Sequence, residues 1–119
     1  MANPKKPAGD FGEDIACAHL SQHGFTCLER NFRTRFGEVD IIARNERFLA
    51  FVEVKTRGPG ARVSGEESVD YRKRQRLRYA AEYYLMKHHS NLQPRFDVIC
   101  VNTARDGQVV SIKWYENAF

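Results

Sequence analysis

Asp40, Glu53 and Lys55 are the residues whose types and spacing best suit chemistry in this chain. Glu53 and Lys55 alternate along Phe48–Thr56, FLAFVEVKT, an aromatic and β-branched run that predicts the strongest strand of the sequence. Asp40 falls in a second predicted strand, Val39–Ala43, VDIIA. The short polar stretch Arg44-Asn45-Glu46-Arg47 between the two predicts an antiparallel hairpin. Side chains alternate across a strand, so Leu49, Phe51, Glu53 and Lys55 share one face. Phe48, Ala50, Val52 and Val54 share the other. A two-residue turn pairs Asp40 with Phe51, and a four-residue turn pairs it with Glu53. Either one brings Asp40 to the face of Glu53 and Lys55, whereas an odd-length turn or a bulge would not.

The strand around Glu53 is otherwise apolar on both faces, the pattern of a covered strand. Charges there must be paired, solvated in a cleft or bound to a cation. One reading is an Asp/Glu/Lys ion-pair network at a sheet end. The other is a hard divalent ion, Mg²⁺ or Mn²⁺, held by Asp40 and Glu53. Such an ion polarises a phosphodiester and acidifies a bound water. Lys55 would then position the attacking water or offset the charge gathering on phosphorus.

Two more residues point the same way. Glu13 lies in a helix predicted from about Asp10 to His23, closed by Gly24. Asp10 and Glu13 have the spacing of a capping box. Yet Glu13, Ala16, Cys17 and Leu20 recur at i, i+3, i+4 and i+7, which puts Glu13 on the face that packs against a sheet. Both roles stay open. A second helix is predicted from about Glu66 to His88. At about 100° per residue, Val69, Lys73, Leu77, Ala80 and Tyr84 form one stripe. Lys73 therefore either snorkels from the core or aims at the carboxylate cleft; the cleft is the expectation here.

Charge is unevenly spread. The formal net is +4, and residues 56–78 hold seven basic side chains against three acidic ones. The seven are Arg57, Arg62, Arg72, Lys73, Arg74, Arg76 and Arg78; Arg30, Arg33 and Arg35 form a second cluster. Guanidinium groups fork onto phosphate oxygens, so these residues predict a phosphate-tracking face on a neutral body. A merely solvated helix face is the alternative.

The remaining strands are expected at Phe25–Phe32, Phe96–Asn102 and Val109–Tyr115, the last two joined around Arg105-Asp106-Gly107. Arg57–Gly65 is expected as a loop. The order α-β-β-β-α-β-β predicts an α/β domain, a mixed five-stranded sheet flanked by helices. Residues 1–9 are expected as a flexible lead-in and 10–119 as one domain. Cys17, Cys27 and Cys100 are odd in number and widely spaced, so neither disulfides nor structural zinc are expected. His19 and His23 stand at i, i+4, but no third ligand is placed beside them. No apolar run reaches about 18 residues, and no apolar stretch follows the lysines of MANPKKPAGD. A cytoplasmic protein with no membrane partner and no signal peptide is expected.

Gly37-Glu38-Val39-Asp40-Ile41-Ile42, followed by Phe51-Val52-Glu53-Val54-Lys55-Thr56-Arg57, resembles the PD-(D/E)XK nuclease motif. More narrowly, the chain resembles the bacterial YraN-like family, itself similar to archaeal Holliday-junction resolvases. Gly12-Glu13, Arg30-Asn31-Phe32-Arg33, Lys73 before Leu77 and Ala80-Ala81, and Arg95-Phe96-Asp97-Val98 fit the same pattern. The resemblance spans about residues 12–114. It implies a restriction-endonuclease-like fold. It implies metal ligation by Asp40, Glu53 and the Val54 backbone carbonyl, with Glu13 at the metal directly or through water. It places Lys55 at the scissile phosphate. The expected function is a Mg²⁺- or Mn²⁺-dependent endonuclease on DNA, branched or structured DNA included, in repair or recombination. RNA is the less favoured substrate. Resolvase-like enzymes often act as twofold dimers, so a homodimer is an expectation too. The competing function is a nucleic-acid-binding module that keeps the site without turnover.

Overall fold

A computed structural model describes residues 8–59 and 71–119. Arg62, Val69 and the first turn expected of the second helix lie outside the described residues. The elements are α1 (Ala8–Gln22), β1 (Thr26–Arg33), β2 (Glu38–Arg44), β3 (Phe48–Arg57), α2 (Tyr71–Lys87), β4 (Gln93–Thr103) and β5 (Val109–Tyr115). The strands lie in sequence order in one sheet, β1-β2-β3-β4-β5. Only the β3–β4 pair is parallel; the other three pairs are antiparallel. This is the expected mixed α/β arrangement, compatible with a restriction-endonuclease-like fold.

Strand alternation gives the sheet two apolar faces, and one helix covers each. Ala16 and Leu20 of α1 pack on Ile41, Ala43, Ala50, Val52, Ile99 and Val101. Leu77, Ala80, Ala81 and Tyr84 of α2 pack on Ile42, Leu49, Phe51, Val98 and Cys100. The two helices therefore sit on opposite sides of β3. α1 ends at Gly24, whose φ of 87° suits glycine alone among common residues, and the Phe25 amide bonds back to the Leu20 carbonyl at 2.9 Å. α1 also starts earlier than expected, within the stretch assigned to the lead-in.

The β2–β3 hairpin decides the site. Ile41 pairs with Val52 and Arg44 with Leu49, leaving Asn45–Phe48 as a four-residue connection. Asn45 builds it: its side-chain oxygen accepts from the Arg47 and Phe48 amides at 2.9 and 2.7 Å. Of the two even-length turns, the sequence adopts the one that brings Asp40 opposite Glu53.

Gly37, just before β2, touches α2 directly. A Cβ there would collide with the Arg76 backbone carbonyl, so the β1–β2 turn rests on the helix backbone itself.

Candidate active site

The β2–β3 ladder stops at the Ile41–Val52 pair. One residue further the strands part, and Asp40 fills the gap with its side chain: Oδ2 accepts from the Val54 amide at 2.8 Å. That bond fixes the carboxylate beside Glu53 on the α2 side of the sheet. Lys55 lies two residues on along the same face, its Nζ 3.2 Å from Glu53 Oε2. Lys73 reaches down from α2 to the same oxygen at 3.1 Å. The helical stripe therefore aims Lys73 into the cleft. A pocket of about 40 Å³ lies among these groups, lined by Glu38, Asp40, Glu53, Lys73, Arg76 and Leu77.

The electrostatics follow from crowding two acids at a half-buried sheet end. Burial, then the Glu53 charge, push the Asp40 carboxyl up to about 7, against the Val54 hydrogen bond that favours its anion. Glu13 and Glu38 add smaller repulsions. Burial and the neighbouring Lys73 push the Lys55 ammonium down, although Glu53 opposes this. Burial also works against the Lys73 charge, but its hydrogen bonding with Lys55 and the Glu53 and Asp40 carboxylates outweigh it and raise the group. Burial and crowding thus favour the positive charge on Lys73 over that on Lys55.

The donor set suits a hard divalent cation. Two carboxylates that repel each other on rigid strands gain from a shared positive charge. Among the described residues, no three acidic, histidine or cysteine side chains converge as a ready-made cluster. An ion at Asp40 and Glu53 would complete its shell with a backbone carbonyl and water, as Mg²⁺ commonly does.

Glu13 faces the sheet, as its helical stripe suggests, but from the side opposite α2. It is buried, and Asn31 Nδ2 donates to its Oε1 at 3.1 Å, with Arg30 at 3.6 Å from the same atom. Asn31 holds a positive φ of 54°. Glu13 does not line the pocket, though its charge reaches Asp40. Of the basic residues, Arg72, Arg76 and Arg78 are exposed on α2, and Arg33 and Arg35 are exposed at the β1–β2 turn. Arg74 lies over the Phe119 ring at 5.1 Å. Arg57 is half-buried at the end of β3, where its carbonyl accepts from the Thr103 hydroxyl at 3.2 Å. Glu38 is a site residue that sequence reasoning missed. It stands two positions before Asp40, so strand alternation could have found it.

Arg95-Phe96-Asp97-Val98 serves the fold at the opposite end of β3. Asp97 is fully buried and accepts from Arg95 Nε and Nη2 at 3.0 and 2.9 Å, from Trp114 Nε1 at 2.9 Å and from the Asn117 amide at 2.9 Å. The Arg95 guanidinium lies 4.4 Å from the Phe48 ring centre and 5.4 Å from that of Phe25. Every oxygen of this buried pair is satisfied, as a buried ion pair requires.

Residues 12–101, which carry Glu13, Asp40, Glu53, Lys55 and Lys73, match the Uncharacterised protein family UPF0102. The chain belongs to the UPF0102 family. It is 44% identical over 120 residues to a UPF0102 protein of Clostridium acetobutylicum, covering 100% of this chain and 98% of that one. A UPF0102 protein of Syntrophotalea carbinolica is 43% identical over 120 residues, covering 100% and 96%. One of Desulfitobacterium hafniense is 39% identical over 117 residues, covering 96% and 97%. UPF0102 is the YraN-like family that the motifs resemble. These matches run through every strand and both helices of this chain.

Proposed function

We propose that this protein is a divalent-metal-dependent nuclease that hydrolyses phosphodiester bonds in DNA, branched or otherwise structured DNA in particular. The observation that carries the proposal is the pairing of Asp40 with Glu53 beside two lysines at the mouth of a small pocket. Asp40, Glu53 and the Val54 carbonyl are the groups that would hold Mg²⁺ or Mn²⁺. When bound, the ion would supply Lewis acidity toward the phosphoryl oxygens and an acidified water. The Val54 amide keeps Asp40 from swinging away. Lys55 can take a proton from a water only after releasing its own, which burial and Lys73 favour; as the ammonium it can steady a non-bridging oxygen. Lys73 stays positive, faces Glu53 and draws a phosphate toward the pocket. Arg33, Arg35, Arg72, Arg76 and Arg78, with Arg62, Arg57 and Arg74, would track the sugar–phosphate backbone. A twofold dimer would suit a symmetric junction.

One observation favours a second reading, a nucleic-acid-binding module without turnover. Glu53 is already satisfied by two ammonium groups, as in a structural ion-pair network. A cleavage panel separates the two: single-stranded, duplex, flap and four-way DNA, plus RNA, each with Mg²⁺ and with Mn²⁺. Metal-dependent cleavage of a DNA substrate that Glu53→Ala abolishes is the expected result. No cleavage on any substrate would leave the binding module standing.

A further inference from the structure

We propose that the groove between the β1–β2 turn and the outer face of α2 is a stacking platform for the unpaired bases of single-stranded DNA. Resting on the nuclease reading above, this names the substrate feature: an unpaired segment running alongside the scissile phosphate. The groove has a volume of about 700 Å³, well within the range of small-ligand sites (about 300–1,000 Å³).

Its walls are aromatic and open to solvent. Phe36 is 67% exposed, Tyr79 50%, Tyr83 41% and Met86 77%. Large rings left in water are a cost unless something covers them. Phe36 is also held out by its own turn. The Thr34 hydroxyl oxygen accepts from the Phe36 and Gly37 amides at 3.2 and 3.0 Å, and the Thr34 amide bonds the Gly37 carbonyl at 2.8 Å. Beneath the turn, Gly37 sits on the Arg76 carbonyl. Phe36 and Tyr79 consequently meet edge to face beside the groove, with ring centres 6.4 Å apart and planes inclined at 60°.

The cations decide the occupant. The Arg35 guanidinium lies 5.6 Å from the Phe36 ring centre, and Lys87 Nζ lies 5.5 Å from that of Tyr83. Arg33 lines the groove too, shared with Glu38 at 3.3 Å, and Glu82 is the one acid among the lining residues. An apolar protein partner would gain little from charges seated on the rings. A nucleic-acid strand uses both, bases on the rings and phosphates on the cations. The groove neighbours the carboxylate pocket along both elements. On the sheet side Phe36 is followed at once by Gly37 and Glu38. On the helix side Tyr79 lies one turn beyond Arg76, and Glu38 and Arg76 line the pocket. A strand leaving the groove would round the Gly37–Arg76 contact to reach Asp40 and Glu53.

The test is fluorescence anisotropy with the full chain, in chelator, on three labelled DNAs: a blunt duplex, the same duplex with an oligo-dT tail, and the same duplex with an abasic tail of equal length. The dT tail should tighten binding about tenfold or more, and the abasic tail should recover little of that, since stacking needs the base. Phe36→Ala and Tyr79→Ala should each remove about fivefold or more of the tail preference, as expected for one lost stacking contact. Neither should move blunt-duplex binding noticeably. Phe36→Trp keeps a ring at an exposed position and should retain the preference, which separates stacking from misfolding. Equal binding of the dT and abasic tails overturns the proposal. So does a self-association, seen by sedimentation, that Phe36→Ala abolishes, since the groove would then belong to a second copy of the chain. Tail preference without cleavage of any substrate sinks the nuclease reading alone. Cleavage without base-dependent tail binding sinks this proposal alone.

Discussion

Asp40→Asn should stabilise the metal-free protein, and more so at alkaline pH than at acid pH. Asparagine keeps the shape and the oxygen that accepts from the Val54 amide at 2.8 Å, while the charge disappears. Burial and the Glu53 charge push the Asp40 carboxyl from 3.8 up to about 7 in the folded state. Between those two values the native protein holds a proton that the unfolded chain has released. Stability therefore falls as pH rises through this window, and the loss is complete above about 7. At about 1.4 kcal/mol per pH unit, the window sets a ceiling of about 4 kcal/mol. The pocket is open on one side, and water screening there should bring the gain down to about 1–2 kcal/mol. For a chain of this size that is a rise of roughly 4–8 °C in Tm. Thermal or urea melts in chelator at pH 5 and pH 8 read it directly. Most of the window lies above pH 5, so the gain at pH 8 should be about two to three times that at pH 5. Mn²⁺ should raise the Tm of the wild type and leave that of Asp40→Asn unmoved. Equal gains at both pH values, or a loss at pH 8, would refute the claim that burial and the Glu53 charge hold the Asp40 carboxyl well above its ordinary value.

Glu53→Ala and Lys55→Ala should both abolish cleavage, measured on the panel above. In gel shifts without metal, Glu53→Ala should bind DNA slightly more tightly and Lys55→Ala slightly less, since one removes a repulsive charge and the other an attractive one. A complete loss of binding in Glu53→Ala would point to a structural role. DNA affinity should fall steeply with salt, and Arg72→Ala, Arg76→Ala or Arg78→Ala should each flatten the log–log slope by about 1 where the side chain neutralises a phosphate. A salt-independent dissociation constant would remove this surface from consideration. Asp97→Ala should cost about 3–5 kcal/mol in a urea melt, because the Trp114 and Asn117 donors lose their acceptor and Arg95 keeps only the exposed Glu116 at 3.2 Å; a loss below about 1 kcal/mol would mean that water reaches the pair.

Much of the site was legible because strand and helix periods are rigid. Alternation along β3 and an even-length turn were enough to bring Asp40 to Glu53, although which even turn forms depends on Asn45 capping its own loop. The 100° stripe placed Lys73 facing the cleft, where it meets Glu53. Glu13 was harder. Its helix face was read properly as sheet-facing, but α1 and α2 cover opposite sides of the sheet, and helical periodicity carries no record of which side. β4 begins at Gln93-Pro94, three residues before the Phe96 at which the strand was expected. There β4 has only β3 as neighbour, since its pairing with β5 begins at Val98, and a proline is tolerated on such an open flank. The groove was invisible in sequence, because Phe36 lies in a turn and Tyr79, Tyr83 and Met86 lie on α2, and only tertiary packing sets them side by side.

The contact of Gly37 with the Arg76 carbonyl has a mechanical meaning. Backbone resting on backbone leaves no side chain to flex as a cushion, so turn and helix travel as one lever. Lys73 rides that lever one turn before Arg76, and Tyr79 rides it one turn after. Any side chain at position 37, even a methyl group, would prise the lever from its seat and slacken both ends at once.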